Sequence, residues 1–279
     1  MKMFEIIKFG SNFLKEKKIP SYILDSEILL SKVLNKSREK ILTNLDQKIN
    51  KRKILVFKDY LLRRSKNEPI AYILEEKEFW SKNFKVNKDT LIPRPETELL
   101  VDKVLKIYEE KKISILDIGT GSGLISIILK KYLDNSNVEA WDKSIKALEI
   151  AKKNSLVNNL KINFKEVDVL KKIEFNNKYD LIVSNPPYVD KSEITSIDVS
   201  VSKFEPHSAI FVDGDDNLVF YKKIIEFSKV ALNDLGVLYL ECHTDRIKSI
   251  KNLLKINNFK KIMIKEDLNG RERMIKAYK

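Results

Sequence analysis

The segment that most constrains the fold is the glycine-rich run Asp117-Ile118-Gly119-Thr120-Gly121-Ser122-Gly123. It follows an apolar stretch, residues 113–116, and precedes another, residues 124–129, that is typical of a buried helix. A strand, a glycine turn and a helix in this order form the nucleotide-binding start of a doubly wound α/β sheet. The spacing G-x-G-x-G differs from the G-x-G-x-x-G of dinucleotide-binding proteins, so the turn alone is weak evidence for a particular ligand.

The chain around this turn repeats the order of strand and helix. Strands are predicted at residues 113–118, 138–142, 162–167, 179–183 and 236–241. Two last segments, 259–265 and 272–278, flank Asn269-Gly270 and predict an antiparallel hairpin at the sheet edge. The pattern therefore predicts a mostly parallel, Rossmann-like sheet that ends in a hairpin.

Three aspartates lie at the ends of the first three predicted strands. Asp142 comes 19 residues after Gly123, where an acidic side chain can accept hydrogen bonds from ribose hydroxyls. Asp168 falls where an adenine amine could be held, and Asp117 could reach a ligand's ammonium group. Each aspartate alone is more typical of a turn or a helix cap, but together with the glycine turn they indicate an adenosyl ligand without pyrophosphate.

A second motif, Asn185-Pro186-Pro187-Tyr188, follows the strand predicted at 179–183. Proline has no backbone N–H, so this turn offers the Asn185 side-chain carbonyl and main-chain carbonyls as acceptors. Such a turn suits a planar NH2 group, either an amide or a nucleobase amine. Taken alone, it is also compatible with a plain proline-rich loop.

An acceptor-only turn solves a chemical problem of such nitrogens. The lone pair of a conjugated NH2 group is delocalised and therefore a poor nucleophile. Two acceptors that hold its hydrogens localise the lone pair and aim it at an electrophile, which is catalysis by orientation and preorganised electrostatics. An adenosyl ligand beside this turn indicates S-adenosylmethionine as the methyl donor.

The chain resembles the HemK/PrmC family, which methylates the glutamine side-chain amide of class 1 peptide-chain release factors. The similarity is carried by Leu91-Ile92-Pro93-Arg94-Pro95-Glu96-Thr97-Glu98, the glycine turn and the segment Ser184 to Tyr188. It continues through 68–73, 204–206, 214–218, 240–241 and 267–273, so it covers nearly the whole chain. The segment 91–98 is more specific than the Asn-Pro-Pro-Tyr turn, which many amino-methyltransferases share.

The resemblance implies a fold and a set of site residues. The fold is that of a class I S-adenosylmethionine-dependent methyltransferase, preceded by a small helical bundle. Asn185 would contact both donor and substrate, the carbonyl of Pro186 would hold the amide with it, and Pro187 and Tyr188 would complete the substrate pocket. The residues expected to bind the donor are Gly119, Thr120, Gly121, Ser122, Gly123, Asp142, Asp168, Val169 and Asn185.

Two positions depart from the family pattern. The family usually continues Glu-Ile-Gly at the end of the fifth strand, where this chain has Glu241-Cys242-His243. Position 169 is often aromatic in the family, so Val169 weakens the expectation of stacking on adenine. Both departures leave the donor and amide motifs intact.

The first quarter of the chain is predicted to be a helical domain over residues 1–75. Helices are expected near the start, after Pro20-Ser21, at 37–43 and around 54–62, with Ile23, Leu24, Ile28, Val33 and Leu34 on one packed side of the second. This segment holds a surplus of 8 positive charges out of the chain's net +13. The surplus indicates either a docking surface for an acidic protein or RNA, or an ordinary solvated face.

A linker and a loop complete the predicted organisation. Residues 76–95 are predicted as a hairpin linker, with Phe79 and Trp80 in one strand, and residues 96–279 as the catalytic domain. Arg94 is predicted either to form a structural salt bridge or to lie over the donor pocket. Residues 190–216 are expected to be a long irregular loop. Glu205 is predicted either to anchor this loop near the pocket or to form a structural salt bridge.

The composition excludes several classes of protein. One cysteine, Cys242, excludes an intrachain disulfide, and two histidines with one cysteine at wide spacing give no metal site. No apolar run reaches the length of a membrane helix, and the charged start does not resemble a signal peptide. We therefore predict a protein that contains no metal and does not bind membranes, and that is cytoplasmic or else organellar with its targeting segment missing. A monomer is expected because a protein loop would insert between its domains.

The sequence thus predicts a protein-glutamine methyltransferase that acts on release factors, with action near the ribosome as an expectation. Three alternatives stay open at this point. They are a ribosomal-protein glutamine methyltransferase with the same catalytic motifs, a nucleic-acid amino-methyltransferase, and a non-enzymatic RNA-binding module.

Overall fold

The protein is described by a computed structural model that covers residues 1–109, 111–214 and 216–279. These residues form two compact units. The first unit comprises Met1–Glu76 and Asp198–Phe204, and the second comprises Lys77–Ile197 and Glu205–Lys279.

The first unit is built from helices. They are α1 (Met3–Glu16), α2 (Tyr22–Leu34), α3 (Arg38–Leu42), α4 (Lys51–Arg64) and α5 (Ile70–Leu74). The side chains of Ser37 and Asn50 cap α3 and α4 by accepting hydrogen bonds from backbone N–H groups of the first turn. The four predicted helices are confirmed, whereas α5 was not predicted.

The packed side of α2 differs from the prediction. Ile23 and Leu24 are 51% and 42% exposed, so placing them on that side is wrong. The helix instead buries Leu29 and Leu30, together with the polar Ser26. A short polar residue lies there because α1 approaches closely, and Ser26 donates a hydrogen bond to the carbonyl of Ile7 on that helix.

Gly10 permits this close approach of α1. A Cβ at this position would overlap Ser26 Oγ and lie 2.7 Å from Cζ of Phe57 on α4. We expect Gly10→Ala to lower the free energy of unfolding by about 1–3 kcal/mol, because overpacking outweighs the gain in helix propensity. Urea denaturation followed by circular dichroism, with Asn12→Ala on the exposed side of the same helix as control, tests this expectation. An unchanged midpoint for Gly10→Ala would contradict the packing argument.

The second unit begins with a hairpin and a helix. Strands β1 (Glu76–Phe79) and β2 (Lys82–Lys85) pair with each other, and α6 (Pro95–Tyr108) follows. Trp80 was predicted in the first strand, but it lies in the turn with φ of 53°. Its backbone N–H donates to Glu98 of α6. Pro95 occupies the first turn of α6, where its missing N–H removes no hydrogen bond.

A seven-stranded sheet forms the centre of the second unit. In chain order its strands are β3 (Ser114–Ile118), β4 (Asn137–Asp142), β5 (Asn163–Glu166), β6 (Tyr179–Ser184), β9 (Leu232–Glu241), β10 (Lys260–Glu266) and β11 (Glu272–Tyr278). Their order across the sheet is β10-β11-β9-β6-β3-β4-β5, and the pairs that join β9, β6, β3, β4 and β5 are parallel. Only β10 and β11 run antiparallel to their neighbours, so the predicted strands and terminal hairpin are confirmed.

Helices cover this sheet and close two apolar cores. They are α7 (Leu124–Tyr132), α8 (Ile145–Val157), α11 (Val219–Ala231) and α12 (Ile247–Ile256). One core packs α11 and α12 against the sheet, and the other packs α6 and α7. The strand order reverses at β3, which lies between β6 and β4, and ligands of such sheets bind at this switch point.

The segment after β6 is more regular than expected. It contains β7 (Val189–Asp190), a 3-10 turn at Lys191–Thr195, α9 (Val199–Phe204), α10 (His207–Ile210) and β8 (Phe211–Val212), which pairs with β7 in parallel. The prediction of a long irregular loop at 190–216 is therefore wrong for the described residues. These elements are two to six residues long, too short to produce a periodic pattern in the sequence.

Candidate active site

The glycine turn after β3 lies at the switch point. The N–H groups of Gly119 and Thr120 both donate to the carbonyl of Trp141 on β4, at 2.8 and 2.9 Å. Gly121 has φ of +56°, a conformation that favours glycine, and Gly123 approaches α8 so closely that a Cβ would lie 3.0 Å from Ala151 Cβ. Glycine at these two positions therefore lets the turn form and lets α8 pack beneath it.

Asp142 at the end of β4 is linked to this turn. Its Oδ2 accepts a hydrogen bond from the N–H of Gly121 at 2.8 Å, and its Oδ1 accepts one from Ser144 at 2.9 Å. Burial raises the pKa of this carboxyl, an effect that the two backbone donors partly offset. The side chain is thus fixed in position beside the turn, as expected for a group that must meet a ligand in one orientation.

Asp117 is fully buried beneath the turn. Its Oδ2 accepts hydrogen bonds from Thr120 Oγ1 at 2.6 Å and from the Ser126 N–H at 3.2 Å. Its Oδ1 has no hydrogen-bond partner among the described residues. Burial raises the pKa of this carboxyl to about 7. The unpaired oxygen is an acceptor that an ammonium group of a ligand could use.

A cleft opens at this edge of the sheet, and the space inside it, counted out to its open mouth, is about 760 Å³. It is lined by eight residues that the sequence analysis singled out: Gly119, Gly121, Asp142, Asp168, Val169, Asn185, Pro186 and Pro187.

Five other predicted residues lie outside this lining. One is Asp117, which is fully buried beneath the turn. Thr120 and Ser122 are buried within the turn, where Thr120 donates its hydroxyl hydrogen to Asp117. Gly123 is the N-cap of α7. Tyr188 packs at the edge of the core that α11 and α12 form, and its ring lies 5.8 Å from that of His243.

Several lining residues were not predicted, among them Thr90, Ala209, Phe220 and Ile224. Phe220 and Ile224 lie on α11, and both are buried in the same core as Val169. Their spacing is that of an ordinary core-facing helix, so no signal in the sequence separates them from other buried residues.

The Asn-Pro-Pro-Tyr turn meets the glycine turn at the ends of adjacent strands. Ser184 at the end of β6 pairs with Ile118 at the end of β3, and its hydroxyl donates to the Ile118 carbonyl at 2.7 Å. The main-chain carbonyl oxygen of Asn185 lies 4.0 Å from the position that a Cβ on Gly119 would occupy. The candidate donor turn and the candidate acceptor turn are therefore neighbours in one cleft.

The side chain of Asn185 is held from behind by two buried residues. Its Nδ2 donates to Oγ1 of Thr97 on α6 at 3.2 Å, and Thr97 Oγ1 donates to Oε2 of Glu241 on β9 at 2.7 Å. Thr97 and Glu241 are 2% and 1% exposed. Because the amide nitrogen is engaged by this pair, the Asn185 carbonyl oxygen is left as the acceptor of the side chain.

Three neighbouring residues complete the surroundings of the turn. Burial raises the pKa of the Tyr188 phenol, so it is a neutral group at physiological pH. His243, at the position where the family has glycine, accepts from the Asp245 N–H at 3.3 Å and packs beside Tyr188. Cys242 is fully buried, and burial raises the pKa of its thiol.

Glu205 fixes the segment that leads into α6. Its carboxylate is 3% exposed and accepts from the Ile92 N–H at 3.0 Å and from the Arg94 guanidinium at 2.7 Å. Arg94 therefore forms a salt bridge and does not line the cleft, and of the two predictions for Glu205 the structural salt bridge is confirmed.

The described residues contain neither a metal-binding cluster nor a membrane-spanning helix. In residues 1–109, 111–214 and 216–279, no group of three or more His, Cys, Asp or Glu side chains is arranged to hold a metal ion. No helix in these same ranges is long and apolar enough to cross a membrane.

Comparison with solved structures shows the fold. A methyltransferase from Pyrococcus furiosus superposes with a TM-score of 0.54 over 79% of this chain and 98% of that one, at 18% identity. The catalytic domain of hMettl16, solved in complex with an RNA hairpin, has a TM-score of 0.58 over 79% of this chain and 81% of that one, at 21% identity. The second unit is thus a class I methyltransferase fold, with the C-terminal antiparallel hairpin of that class.

Comparison of sequences shows the family. The PrmC N-terminal domain family matches residues 5–74, and the methyltransferase small domain family matches residues 95–205. Release factor glutamine methyltransferases are similar over most of the chain. The protein from Flavobacterium psychrophilum is 41% identical, with 98% of this chain and 96% of that one covered, and the protein from Leptospira interrogans is 37% identical, with 97% and 96% covered. With a PrmC-type N-terminal domain, a methyltransferase domain and this similarity along nearly its whole length, the chain belongs to the release factor glutamine methyltransferase family.

Proposed function

We infer that this protein transfers a methyl group from S-adenosylmethionine to the side-chain amide nitrogen of a glutamine in a release factor. The observation that carries this inference is the orientation of Asn185. Its amide nitrogen is engaged by Thr97, so its carbonyl oxygen is the acceptor left for a substrate NH2 group in the cleft. The family to which the chain belongs is named for this reaction.

The donor site is supported by the fit of the residues around the glycine turn. Asp142 would hold the ribose hydroxyls, and Asp168 and Val169 would lie at the adenine. S-adenosylmethionine, when bound, supplies a methyl group on a positively charged sulfur. The protein's own contribution is to hold this donor against the acceptor turn and to exclude water.

The acceptor turn prepares the nitrogen for attack. The side-chain carbonyl of Asn185 and the main-chain carbonyl of Pro186 each accept a hydrogen bond from one of the two N–H groups of the substrate glutamine amide. The nitrogen lone pair would then be aimed at the methyl group that bound S-adenosylmethionine would supply, with the donor sulfur as the leaving group. The methylated nitrogen becomes strongly acidic and loses one proton to water, so no general base is needed before the transfer.

We assign the substrate glutamine to the Gly-Gly-Gln loop of class 1 release factors. The two glycines that precede the glutamine would let a bare backbone enter a narrow slot beside Asn185. The helical first unit, with its surplus of 8 positive charges in residues 1–75, would supply a docking surface for the factor.

Methyl transfer with a labelled donor tests this proposal. Purified release factor, the same factor with Gln→Ala in Gly-Gly-Gln, a ribosomal protein fraction and duplex DNA are compared as acceptors. Label in the intact factor alone supports the proposal. Label in ribosomal protein alone or in DNA alone would replace the proposed substrate by one of those two classes.

The donor site gives a separate expected result for Asp142→Ala. Loss of a carboxylate that accepts from two ribose hydroxyls should weaken donor binding by about 10- to 100-fold, since hydrogen bonds to charged groups contribute ~1.5–3 kcal/mol. Isothermal titration with S-adenosylmethionine measures this, with the exposed Asp134→Ala as control. Unchanged donor affinity in Asp142→Ala would remove the residue from the donor site.

A further inference from the structure

Thr97 lies between a hydrogen-bond acceptor, the Glu241 carboxylate, and a hydrogen-bond donor, the Asn185 side-chain nitrogen. Its Oγ1 is 2.7 Å from Glu241 Oε2 and 3.2 Å from Asn185 Nδ2. The residues are far apart in sequence, since 88 positions separate Thr97 from Asn185 and 144 separate it from Glu241. The fold of the second unit therefore brings together side chains of α6, β9 and the acceptor turn.

The direction of these two bonds follows from the number of hydrogens available. A threonine hydroxyl has one hydrogen and two lone pairs, whereas the ionised carboxylate of Glu241 can only accept. Burial raises the pKa of this carboxyl to about 7, so the direction described here is that of the ionised form above that pH. The hydrogen of Thr97 therefore points to Glu241, and Thr97 presents a lone pair to Asn185. An asparagine side chain can rotate by 180° about its last bond, which exchanges its oxygen and its nitrogen. The rotated form would set two acceptor oxygens against each other.

The cost of the rotated form is large because two of the three residues are buried. Thr97 and Glu241 are almost fully buried, and Asn185 is half-buried. A buried polar group that loses its partner costs ~1–3 kcal/mol, and two facing acceptors add repulsion to this loss. A difference of that size keeps the amide in one orientation for most of the time.

We propose that Thr97, with Glu241 behind it, is a positioning residue that fixes the Asn185 side chain with its carbonyl oxygen toward the substrate amide. The proposal rests on the proposed function, in which Asn185 accepts from the substrate. It gives the Pro-Arg-Pro-Glu-Thr-Glu segment a chemical role in the reaction. Thr97 itself does not line the cleft.

Two substitutions at position 97 separate positioning from packing. Thr97→Val keeps the size and the branching of the side chain but removes the hydroxyl, whereas Thr97→Ser keeps the hydroxyl and removes a methyl group. We expect Thr97→Val to lower kcat for glutamine methylation by ~10-fold or more and Thr97→Ser to remain within ~3-fold of the wild type, following the size of a lost buried hydrogen bond. The Kd for S-adenosylmethionine should stay within ~3-fold in both variants, since Asp142 and the glycine turn are untouched.

A second measurement does not depend on activity. In the wild type, one hydrogen of the Asn185 side-chain NH2 group is bound to Thr97, so its exchange with solvent should be slow. The exchange is measured by NMR on the ¹⁵N-labelled chain, with the signal assigned by its loss in Asn185→Asp. It should accelerate at least ~10-fold in Thr97→Val and little in Thr97→Ser.

The outcomes distinguish the two proposals. Fast exchange and reduced kcat in Thr97→Val, with both rescued in Thr97→Ser, support the positioning role. Equal kcat in Thr97→Val and wild type, or equal losses in both variants with lowered melting temperatures, would overturn it. If the wild type methylates no glutamine, the proposed function fails, and the exchange data alone decide whether Thr97 fixes the amide.

Discussion

Asn185→Ala should lower the single-turnover rate of glutamine methylation by roughly 30- to 1,000-fold, the equivalent of about 2–4 kcal/mol, as for the loss of one preorganised polar contact in a transition state. Alanine removes the oxygen that accepts from the substrate amide and leaves the Pro186 carbonyl as a single acceptor. Thr97 also loses its partner on that side. The substrate nitrogen then keeps its planar geometry for more of the time, and its lone pair stays delocalised.

The rate is measured with donor and release factor both saturating, because the side chain lies where it could contact both. Asn257→Ala, at the end of α12, is a matched control, since that asparagine also donates through its side-chain nitrogen, to the carbonyl of Leu253. The control should react at the wild-type rate. A fall of less than tenfold in Asn185→Ala would contradict the role assigned to the side chain.

The second large effect concerns stability and comes from Asp117. Burial raises the pKa of this carboxyl from an ordinary value of 3.8 to about 7 in the folded protein. Between these two pH values the folded chain holds a proton that the unfolded chain has lost. The contribution of Asp117 to stability is therefore present at low pH and is lost as the pH rises toward 7.

Asp117→Asn should remove this dependence. Relative to the wild type, its free energy of unfolding should rise by about 2–3 kcal/mol between pH 5 and pH 8, since the roughly two pH units between pH 5 and a pKa of about 7 correspond to ~3 kcal/mol. Denaturation at both pH values, without donor, measures the change, and Asp59→Asn at an exposed position is the control. A constant difference between variant and wild type across this range would show that Asp117 is already charged at pH 5.

Much of the fold follows from the sequence because its strands are simple. Residues 113–118 and 179–183 are apolar runs that end in turn residues, and the structure places strands within one residue of both. Short elements such as α5 and α10 were missed, because four or five residues contain too little periodicity and such helices are fixed by their contacts. The exposure of Ile23 could not be predicted from the hydrophobic pattern either, since an apolar residue on a short helix can lie on the packed side or on the solvent side.

Some residues of the candidate site could also be predicted from the sequence, and others could not. The residues in the two turns were predictable because chemistry demands their types at a fixed spacing, as with Gly121 and Asn185. Thr97 was visible only as part of a family segment, because its partners lie 88 and 144 positions away and no local signal connects them. Whether the chain is a monomer, and whether it acts near the ribosome, stay predictions.

The missing backbone N–H groups of Pro186 and Pro187 also affect what happens after the reaction. A turn that contains only acceptors recognises a group by the number of hydrogens on its nitrogen. The substrate amide has two, one for each acceptor, but the methylated product has one and must leave the other acceptor unpaired in a buried site. With these roles, we expect the product to be held less tightly than the substrate and its nitrogen not to be prepared for a second transfer. The same two prolines that would select the amide would then favour product release and limit the reaction to a single methyl group.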